Sequence, residues 1–325
     1  MSSSDTLILT HCDCDGICAG AIALSRFPGA RIFFTKPVSF LHDFREVALD
    51  AGIRNVIICD MALTKRDAKE IMATMKKARA KVMYFDHHVI PQNISWDDVN
   101  RSVNVYKHDP RASASEIIFR YFQKSVPKER VWLALYGAIG DYTDNTDFAE
   151  QRIRNWDRRA LYFEVSSLIM GIKERRFSGY DAKRRLVQSM SSGKNPSEMA
   201  GLVDAARKAV EREFDFYEIV KSNARKSGKI GYIKDPPEFG FRGPSALFAA
   251  TVKNAPVGLC MYTRRGYIDI TARTRSDDPS IVLNRLMELG AEKVGGSGGG
   301  LPKAAGARIP QDKLSEFLKI INQLF

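Results

Sequence analysis

The sequence predicts an α/β fold: an N-terminal parallel sheet with helices on both faces, a helical connector, and a smaller C-terminal α+β domain. In the N-terminal half, short apolar and β-branched runs alternate with helical stretches, a pattern typical of such a sheet. The four predicted strands cover residues 7–10, 31–34, 55–59 and 81–85. Because ligands bind at the carboxyl ends of parallel strands, functional residues are expected there.

Helical periodicity dominates the middle of the chain, with residues 112–218 predicted to be mostly helical. A helix is also predicted over residues 64–79, where Thr64 would cap it and Asp67 follows three residues later. Shorter strands, such as residues 267–272, come after a Gly- and Pro-bearing stretch. We therefore expect a first domain over residues 1–195, a helical linker over 196–228 and a second domain over 229–325.

The composition argues against several classes of protein. The chain has 325 residues, of which 44% are hydrophobic, and no apolar run of about 18 residues, so we expect neither a membrane protein nor a disordered chain. The first residues lack the basic and long apolar parts of a signal peptide, which favours a cytoplasmic location. The five cysteines are odd in number and form no disulfide-like framework, so we interpret them as reduced thiols.

Positive charge is concentrated in the middle of the chain. The net charge is +12, and residues 152–229 contain 18 Lys and Arg against 10 Asp and Glu. This segment would contact successive phosphates of a nucleic acid, although solvated helix faces are an alternative explanation. Tyr162, Phe163, Phe177 and Tyr180 lie among these charges and could stack bases, but aromatic residues more commonly pack in the core.

The first predicted strand is followed directly by a motif of one histidine and two aspartates, His11, Asp13 and Asp15, at alternating positions. If this segment stays extended, the three side chains point to one side and the intervening cysteines to the other. An imidazole and two carboxylates that converge at a strand end suit a divalent cation. Alternatively, Asp15 caps a helix that begins at Ile17.

A thiolate zinc site is a further alternative for the same segment. Cys12, Cys14 and Cys18 could supply three sulfur ligands. However, no second Cys or Cys/His cluster follows at a suitable distance, so the sequence favours the oxygen and nitrogen ligands.

Acidic and imidazole side chains also follow two later strands and one apolar helix. The third strand ends at Asp60, the fourth ends in Asp86, His87 and His88, and Asp141 follows the helix. A single Asp at such a position is usually a helix cap. Here, however, three of the five histidines in the chain fall at these same edges, which makes capping a poor explanation.

Together these residues are numerous enough to hold two metal ions. Two ions roughly 3.5–4 Å apart that share a carboxylate can activate water and stabilise the charge of a phosphate under attack. Mixed imidazole and carboxylate ligation favours Mn²⁺, with Mg²⁺ as the alternative. The predicted metal ligands are His11, Asp13, Asp15, Asp60, His87 and Asp141.

In their order along the chain, these motifs resemble the DHH family of phosphoesterases. That family includes RecJ-like single-strand exonucleases, oligoribonucleases, cyclic dinucleotide phosphodiesterases and an inorganic pyrophosphatase branch. The resemblance implies that Asp60 bridges two Mn²⁺ ions. It further implies that His11 and Asp13 bind one ion, and that the other is bound by Asp15, His87 and Asp141.

The resemblance also implies two catalytic roles within the Asp-His-His motif. In the family the second histidine lies close to the phosphate that is cut, so His88 would contact or protonate it. Asp86 would hydrogen bond to a ligand imidazole and orient it, without binding the metal itself.

A glycine-rich stretch extends the resemblance to the C-terminus. Residues 295–300 resemble the glycine-rich loop of the DHH-associated C-terminal domain, whose backbone N–H groups can approach an anion; a flexible linker is the alternative. In that domain an arginine on a neighbouring strand grips phosphate, a position that Arg273 matches. One departure is Leu301, where family members commonly have His. The predicted substrate contacts are Arg273, Arg275, Gly298, Gly299, Gly300 and Lys303.

The sequence therefore predicts an Mn²⁺-dependent exonuclease or oligoribonuclease acting on single-stranded RNA or DNA or on short oligonucleotides. A small-nucleotide phosphodiesterase or phosphatase, acting on cyclic or linear dinucleotides or adenosine 3',5'-bisphosphate, is the first alternative. Because of Leu301, a non-catalytic nucleic-acid-binding module with a DNA-replication or repair protein partner is the second. The pyrophosphatase branch is not expected, since its C-terminal domain lacks the glycine run.

Overall fold

A computed structural model describes residues 5–48, 50, 52–237 and 241–325. The chain divides into two units, Met1–Ala209 and Val210–Phe325. This division falls inside the predicted linker, where a single helix spans Leu202–Asn223. The three-part division at residues 195 and 228 stays a prediction. No helix in the described ranges is both long and apolar enough to cross a membrane.

The first unit contains a five-stranded sheet in which every pair is parallel, in the order β2-β1-β3-β4-β5. The strands are β1 (Thr6–Thr10), β2 (Arg31–Phe34), β3 (Asn55–Cys59), β4 (Lys81–Asp86) and β5 (Val105–His108). The first four agree with the predicted strands to within one residue. The sequence prediction lacks β5, because this strand has only four residues and two of them are polar.

Helices cover both faces of this sheet, and the predicted fold class is confirmed. The helices are α1 (Cys14–Arg26), α2 (Phe40–Val47), α3 (Ala68–Lys77), α4 (Trp96–Asn100), α5 (Ala114–Phe122), α6 (Val131–Gly140), α7 (Asp147–Ile153), α8 (Arg158–Gly171), α9 (Arg175–Ser178), α10 (Tyr180–Ser191) and α11 (Leu202–Asn223). Successive strand residues face opposite sides of the sheet. Ile8 and Ile57 therefore lie in the core that contains α1, α5 and α6, whereas Leu9 and Ile58 lie in the core that contains α2 and α3.

Helix α3 begins later than predicted. The predicted cap, Thr64, instead forms a turn in which its Oγ1 accepts the Asp67 N–H at 3.2 Å and its carbonyl accepts the Ala68 N–H at 2.9 Å. The helix therefore starts at Ala68, with Asp67 as its first flanking residue. A hydroxyl that bonds a backbone N–H three residues on supports a turn as well as a helix start, and this explains the error.

The second unit contains a six-stranded mixed sheet in the order β10-β11-β9-β8-β7-β6. In this sheet β7 and β8 pair in parallel, and the other described pairs are antiparallel. The predicted glycine-rich loop lies mainly in the edge strand β10, because its backbone pairs with β11. The elements are β6 (Arg225–Ser227), β7 (Ile230–Lys234), α12 (Arg242–Val252), β8 (Val257–Arg264), β9 (Tyr267–Thr274), α13 (Leu283–Glu292), β10 (Ser297–Gly300), β11 (Ala304–Pro310) and α14 (Leu314–Gln323).

Candidate metal centre

The carboxyl ends of three neighbouring strands in the first unit each deliver a polar residue to one edge of the sheet. His11 follows β1, Asp60 follows β3, and His87 follows β4. Helix α6 ends at the same place, with Asp141 as its flanking residue. Because the strands are parallel and adjacent, residues far apart in the sequence meet at this edge.

The first group of ligand atoms comes from His11, Asp13 and Asp60, which offer atoms that all lie within 4.8 Å of one another. His11 Nδ1 lies 2.7 Å from Asp13 Oδ2 and 3.6 Å from Asp60 Oδ2. One imidazole and two carboxylates at this spacing can hold a divalent cation.

The second group comes from Asp15, His87 and Asp141, whose ligand atoms also lie within 4.8 Å of one another. His87 Nε2 lies 3.3 Å from Asp141 Oδ2 and 3.4 Å from Asp60 Oδ1. An overlapping third group contains Asp60, His87 and His88. The structure thus brings all six predicted ligand residues together.

Asp60 lies between the two groups and is 3% exposed. Its Oδ2 faces His11, its Oδ1 faces His87, and Oδ2 has no hydrogen bond to any described residue. Its backbone has a φ of 54°, the left-handed region that costs a residue with a β-carbon of order 1 kcal/mol or more. An unsatisfied buried carboxylate oxygen is suited to bind a cation.

The turn between β1 and α1 differs from the predicted extended segment. Helix α1 begins at Cys14, and Asp13 is its cap, with Oδ1 accepting the Gly16 N–H at 3.0 Å. Asp15 therefore lies in the first helical turn, so the predicted alternation of side chains over residues 11–15 is wrong, and so is the cap role for Asp15. The ligand atoms still converge because the chain turns at Asp13 from strand to helix.

Two backbone N–H groups at the start of α5 fix the orientation of Asp15. Its Oδ2 accepts the N–H of Ala114 at 2.7 Å, and its Oδ1 accepts the N–H of Ser115 at 3.0 Å. Ser113 caps the same helix end by accepting the Glu116 N–H at 3.1 Å. Sequence reasoning missed this support, although Ser113 followed three residues later by Glu116 is a capping signal.

The cysteines offer little to a metal. Cys14, Cys18 and Cys59 are buried. The neighbouring Cys18 side chain, together with burial, raises the pKa of Cys14, and burial raises the pKa of Cys59. Buried thiols of this kind stay protonated, whereas a metal ligand must be a thiolate. No metal-ligand group among the described residues includes a cysteine.

The electrostatics of the site favour a bound cation. Burial raises the pKa of Asp15 to about 7 and that of Asp141 to about 6, and in both cases repulsion from Asp60 adds to the effect. Burial opposes the charged imidazoles, but the carboxylates outweigh it and raise the pKa of His11 to about 11 and that of His87 to about 10. Divalent cations bound here would neutralise the same carboxylates and favour their ionised form.

The charge of Asp60 is stabilised despite its burial. Burial alone would raise the pKa of this carboxyl group, but the neighbouring His11 and His87 imidazoles hold it well below its usual range. Asp60 is thus the carboxylate that stays ionised in the middle of the site. A bridging ligand needs this property.

Asp86 and His88 form a pair beside the metal-ligand groups. Asp86 is 3% exposed, and its Oδ1 lies 2.9 Å from His88 Nδ1. Asp86 thus contacts His88, whose ring centroid lies 4.6 Å from that of His87. Asp86 Oδ2 also accepts the backbone N–H of His88 at 3.3 Å, which fixes both ring and backbone.

A fourth histidine at this edge was not anticipated. His108 ends β5, and its Nε2 lies 2.7 Å from the backbone carbonyl oxygen of His88. Its ring stacks on Tyr106 with an interplanar angle of 24°. His108 therefore supports the backbone of the Asp-His-His motif. The available signal was its place after the short apolar pair Val105 and Tyr106.

The predicted substrate contacts all lie in the second unit. Arg273 is half-buried near the end of β9 and pairs in register with Ala304 of β11. Arg275 Nη1 donates to Thr251 Oγ1 at 2.8 Å, and Lys303 Nζ lies 3.0 Å from Asp277 Oδ1. Arg273 Nη1 donates to the carbonyl oxygen of Ala272 at 2.9 Å, so all three cations already have polar contacts within the unit.

The three glycines predicted to contact substrate differ from one another. A β-carbon on Gly298 would overlap the carbonyl oxygen of Met287 in α13, and Gly300 has a φ of +132°, so both positions require glycine for structural reasons. A β-carbon on Gly299 would meet nothing within 4 Å. Of these three glycines, only Gly299 has room for a side chain. Only at this position would the absence of a side chain be explained by the close approach of a ligand.

Two family models match the sequence. The DHH family, N-terminal domain, matches residues 5–139, and the DHHA1 domain matches residues 248–325. No curated protein sequence matches the chain.

Solved structures share this fold at low sequence identity. A DHH-domain protein described as a member of a family of ribosomal proteins has a TM-score of 0.71 and 15% identity, over 98% of this chain and 85% of its own. RecJ from Thermus thermophilus, in complex with Mn²⁺, has a TM-score of 0.66 and 16% identity, over 98% of this chain but only 51% of its own.

A third solved structure with this fold is PggH, a pGpG-specific phosphodiesterase from Vibrio cholerae. It has a TM-score of 0.60 and 16% identity, over 98% of both chains. At these identities the similarity shows the fold. The family models match the segments that carry the predicted motifs, apart from Asp141, which lies two residues beyond the first match. Residues 5–139 therefore form a DHH-family N-terminal domain, and residues 248–325 form a DHHA1 domain.

Proposed function

We propose that this protein is a metal-dependent phosphodiesterase that hydrolyses single-stranded RNA or DNA, or short oligonucleotides, with Mn²⁺ preferred over Mg²⁺. The observation that carries the proposal is the position of Asp60. One of its oxygens faces His11 at 3.6 Å and the other faces His87 at 3.4 Å. One carboxylate that reaches two ligand groups suits the bridge of a two-metal site, an arrangement used to cut phosphodiesters.

Two bound cations would supply a nucleophile derived from water at neutral pH and neutralise charge on the phosphate. The chain itself contributes rigid positioning. Asp13 is fixed by its cap on α1, and Asp15 by the two N–H groups of α5. Side chains held in this way need little reorganisation when ions and substrate bind, which lowers the cost of reaching the transition state.

We assign the contact with the reacting phosphate to His88. Its Nδ1 is held by Asp86, while no described residue hydrogen bonds its Nε2. Burial opposes the charged ring, but the Asp86 carboxylate outweighs it and raises the pKa of His88. When the ring is protonated, its Nε2 can donate a proton to a phosphate oxygen or to the leaving group.

In the second unit, the proposed phosphate contacts are Arg273, Arg275, Lys303 and the backbone of residues 298–300. A planar guanidinium can donate two parallel hydrogen bonds to phosphate. The proposal of RNA or DNA as substrate is supported by the basic charge of residues 152–229. A cytoplasmic location and a replication or repair protein as partner remain predictions.

Two other functions are each favoured by one observation. PggH matches over its full length, which favours a dinucleotide phosphodiesterase. Leu301 is 38% exposed at the hairpin between β10 and β11, where the family commonly has His, which favours a non-catalytic binding module. A single hydrolysis experiment distinguishes both from the proposed nuclease.

The test is hydrolysis of end-labelled single-stranded RNA and DNA, of a linear dinucleotide and of a cyclic dinucleotide, with Mn²⁺ or Mg²⁺. Wild type is compared with Asp60→Asn, which keeps the size of the side chain but not its charge. Asp109→Asn is the matched control, because Asp109 follows β5 at the same edge but belongs to no metal-ligand group among the described residues.

A ladder of shortened strands that disappears in Asp60→Asn and persists in Asp109→Asn is the expected result. Hydrolysis of the dinucleotides alone would favour the small-nucleotide enzyme. If calorimetry shows that Mn²⁺ binds wild type but no substrate is cut, the proposed activity is wrong and the binding module is favoured.

A further inference from the structure

A cavity of about 380 Å³ lies beside the metal-ligand groups of the first unit. Asp13, Asp15 and Asp141 line it. Its lining also includes Ile169 of α8 and Lys173, which follows that helix. A space of this volume accommodates a small ligand or a nucleotide, and its apolar wall and lysine suit a base or sugar with a phosphate.

Helix α8 leads from this cavity to the open surface along a single face. Arg158, Tyr162, Ser166 and Ile169 recur at spacings of four, four and three residues, so they form one stripe of the helix. The first three are exposed, whereas Ile169 is half-buried and lines the cavity. At 1.5 Å per residue the stripe is about 16 Å long, which is room for about three nucleotides.

The segment around this stripe is strongly basic. Residues 152–185 contain ten Lys and Arg against four Asp and Glu. Arg154 pairs with Glu150, and Arg159 with Asp157, so both of these charges are partly neutralised. Arg158 has no ion pair within the part of the chain that the structure describes. Its charge is therefore available to a phosphate.

The aromatic residues of this region separate into two classes. Phe177 packs partly against the core, and the hydroxyl of Tyr180 bonds the N–H of Phe34 at 3.1 Å, so both have structural roles. Tyr162 is 43% exposed and Phe163 is 53% exposed. Of these two, Tyr162 lies on the stripe, whereas Phe163 points roughly 100° around the helix. An exposed aromatic ring between basic residues is suited to stack a base.

We propose that this face of α8 binds the part of a single-stranded nucleic acid that extends beyond the nucleotide being cut. A base stacks on Tyr162, phosphates pair with Arg158 and Lys173, and the strand enters the cavity past Ile169. The inference rests on the proposed function and makes it more specific. Tyr162 lies seven residues before Ile169, about 10 Å along the helix axis, so we expect a dinucleotide held at the metal centre to leave Tyr162 uncovered.

Binding is measured by fluorescence anisotropy with a labelled single strand of about 12 nucleotides, and by calorimetry with a dinucleotide. All variants are made in the Asp60→Asn protein, which should not cut the probe. Tyr162→Ala is expected to weaken binding of the strand about tenfold and to leave binding of the dinucleotide within about twofold of the parent. Tyr162→Phe should restore strand binding, because the stacking face remains.

Phe163→Ala is the matched control, since this ring is at least as exposed and lies one residue away. Equal effects of Phe163→Ala and Tyr162→Ala, or an equal loss for both ligands, would overturn the proposal. Arg158→Gln should make the dependence of log affinity on log salt shallower by about 0.7, the value for one phosphate contact on a single strand. An unchanged slope would count against a phosphate contact at Arg158.

Failure of this inference can be told apart from failure of the proposed function. If the protein with intact Asp60 binds the strand through Tyr162 and yet cuts nothing, that result supports the proposed binding face of α8 and refutes the proposed phosphodiesterase activity. Cleavage of long and short substrates that does not respond to Tyr162→Ala refutes the surface and supports the activity. In that case the exposed face is better explained as a contact for a protein.

Discussion

The metal-binding edge of the first unit and the glycine-rich edge of the second unit present polar groups in different ways. The first gathers side chains from positions as distant as His11 and Asp141. The second exposes consecutive residues of one strand, Ser297–Gly300, where the backbone is the main polar surface. Ligand binding at the first edge is therefore expected to depend on charge and coordination geometry, and ligand binding at the second edge on shape. Substitutions that alter charge and substitutions that alter size should separate the two.

The largest effect is expected for a change of charge at the metal-binding edge. Asp141→Asn keeps the shape of the side chain but removes a ligand of the second group, so hydrolysis should fall on the order of a hundredfold or more. Asp144→Asn, three residues on and outside the metal-ligand groups, should retain activity within about twofold. Initial rates over a range of Mn²⁺ concentrations test this. Equal rates for the two variants would remove Asp141 from the site.

Changes of size should act on the glycine-rich edge. Gly298→Ala would drive a methyl group into the carbonyl oxygen of Met287, so we expect about 1–3 kcal/mol of destabilisation. Gly299→Ala meets no atom within 4 Å, so stability should not change, while affinity for a phosphate-bearing substrate should fall about fivefold. Urea unfolding and KM measurements separate the two effects. Unchanged KM in Gly299→Ala would show that ligands do not approach this strand.

A change of donor geometry tests whether the second unit grips phosphate. Arg273→Lys keeps the charge but loses the planar fork, and we expect kcat/KM to fall about tenfold. Arg308→Lys is the control, because Arg308 lies on the neighbouring β11 and pairs with Asp269 at 2.7 Å. If the two variants behave alike in steady-state kinetics, Arg273 contributes only charge.

A small effect is also expected at His108. His108→Phe keeps the stacking on Tyr106 but loses the hydrogen bond to the carbonyl of His88, so kcat should fall about fivefold with KM unchanged. His108→Gln retains a donor and should recover most of the rate. A change in KM instead of kcat would argue that His108 contacts substrate directly.

The sequence was informative where local pattern and tertiary structure agree. The apolar runs of β1, β3 and β4 end abruptly at polar residues, so both the strands and the strand-end residues His11, Asp60 and His87 could be predicted. The parallel sheet then requires these ends to meet. The residues of the metal site thus follow from the same pattern as the fold.

Other features could not be predicted because they depend on tertiary contacts. Asp15 takes its orientation from α5, about a hundred residues away in the sequence, and the left-handed backbone of Asp60 has no local signal. His108 was missed along with its short strand. The residues at 298–300 were expected in a loop, because glycines have low strand propensity, yet pairing with β11 extends them.

One glycine of α6 couples the packing of two helices to the candidate metal centre. A β-carbon on Gly137 would overlap both the Asp15 carboxylate and the Ser115 hydroxyl of α5, so any larger residue would displace a proposed metal ligand together with the start of that helix. Substitution at this position should therefore lower stability and metal affinity together, because the same added atoms disturb both.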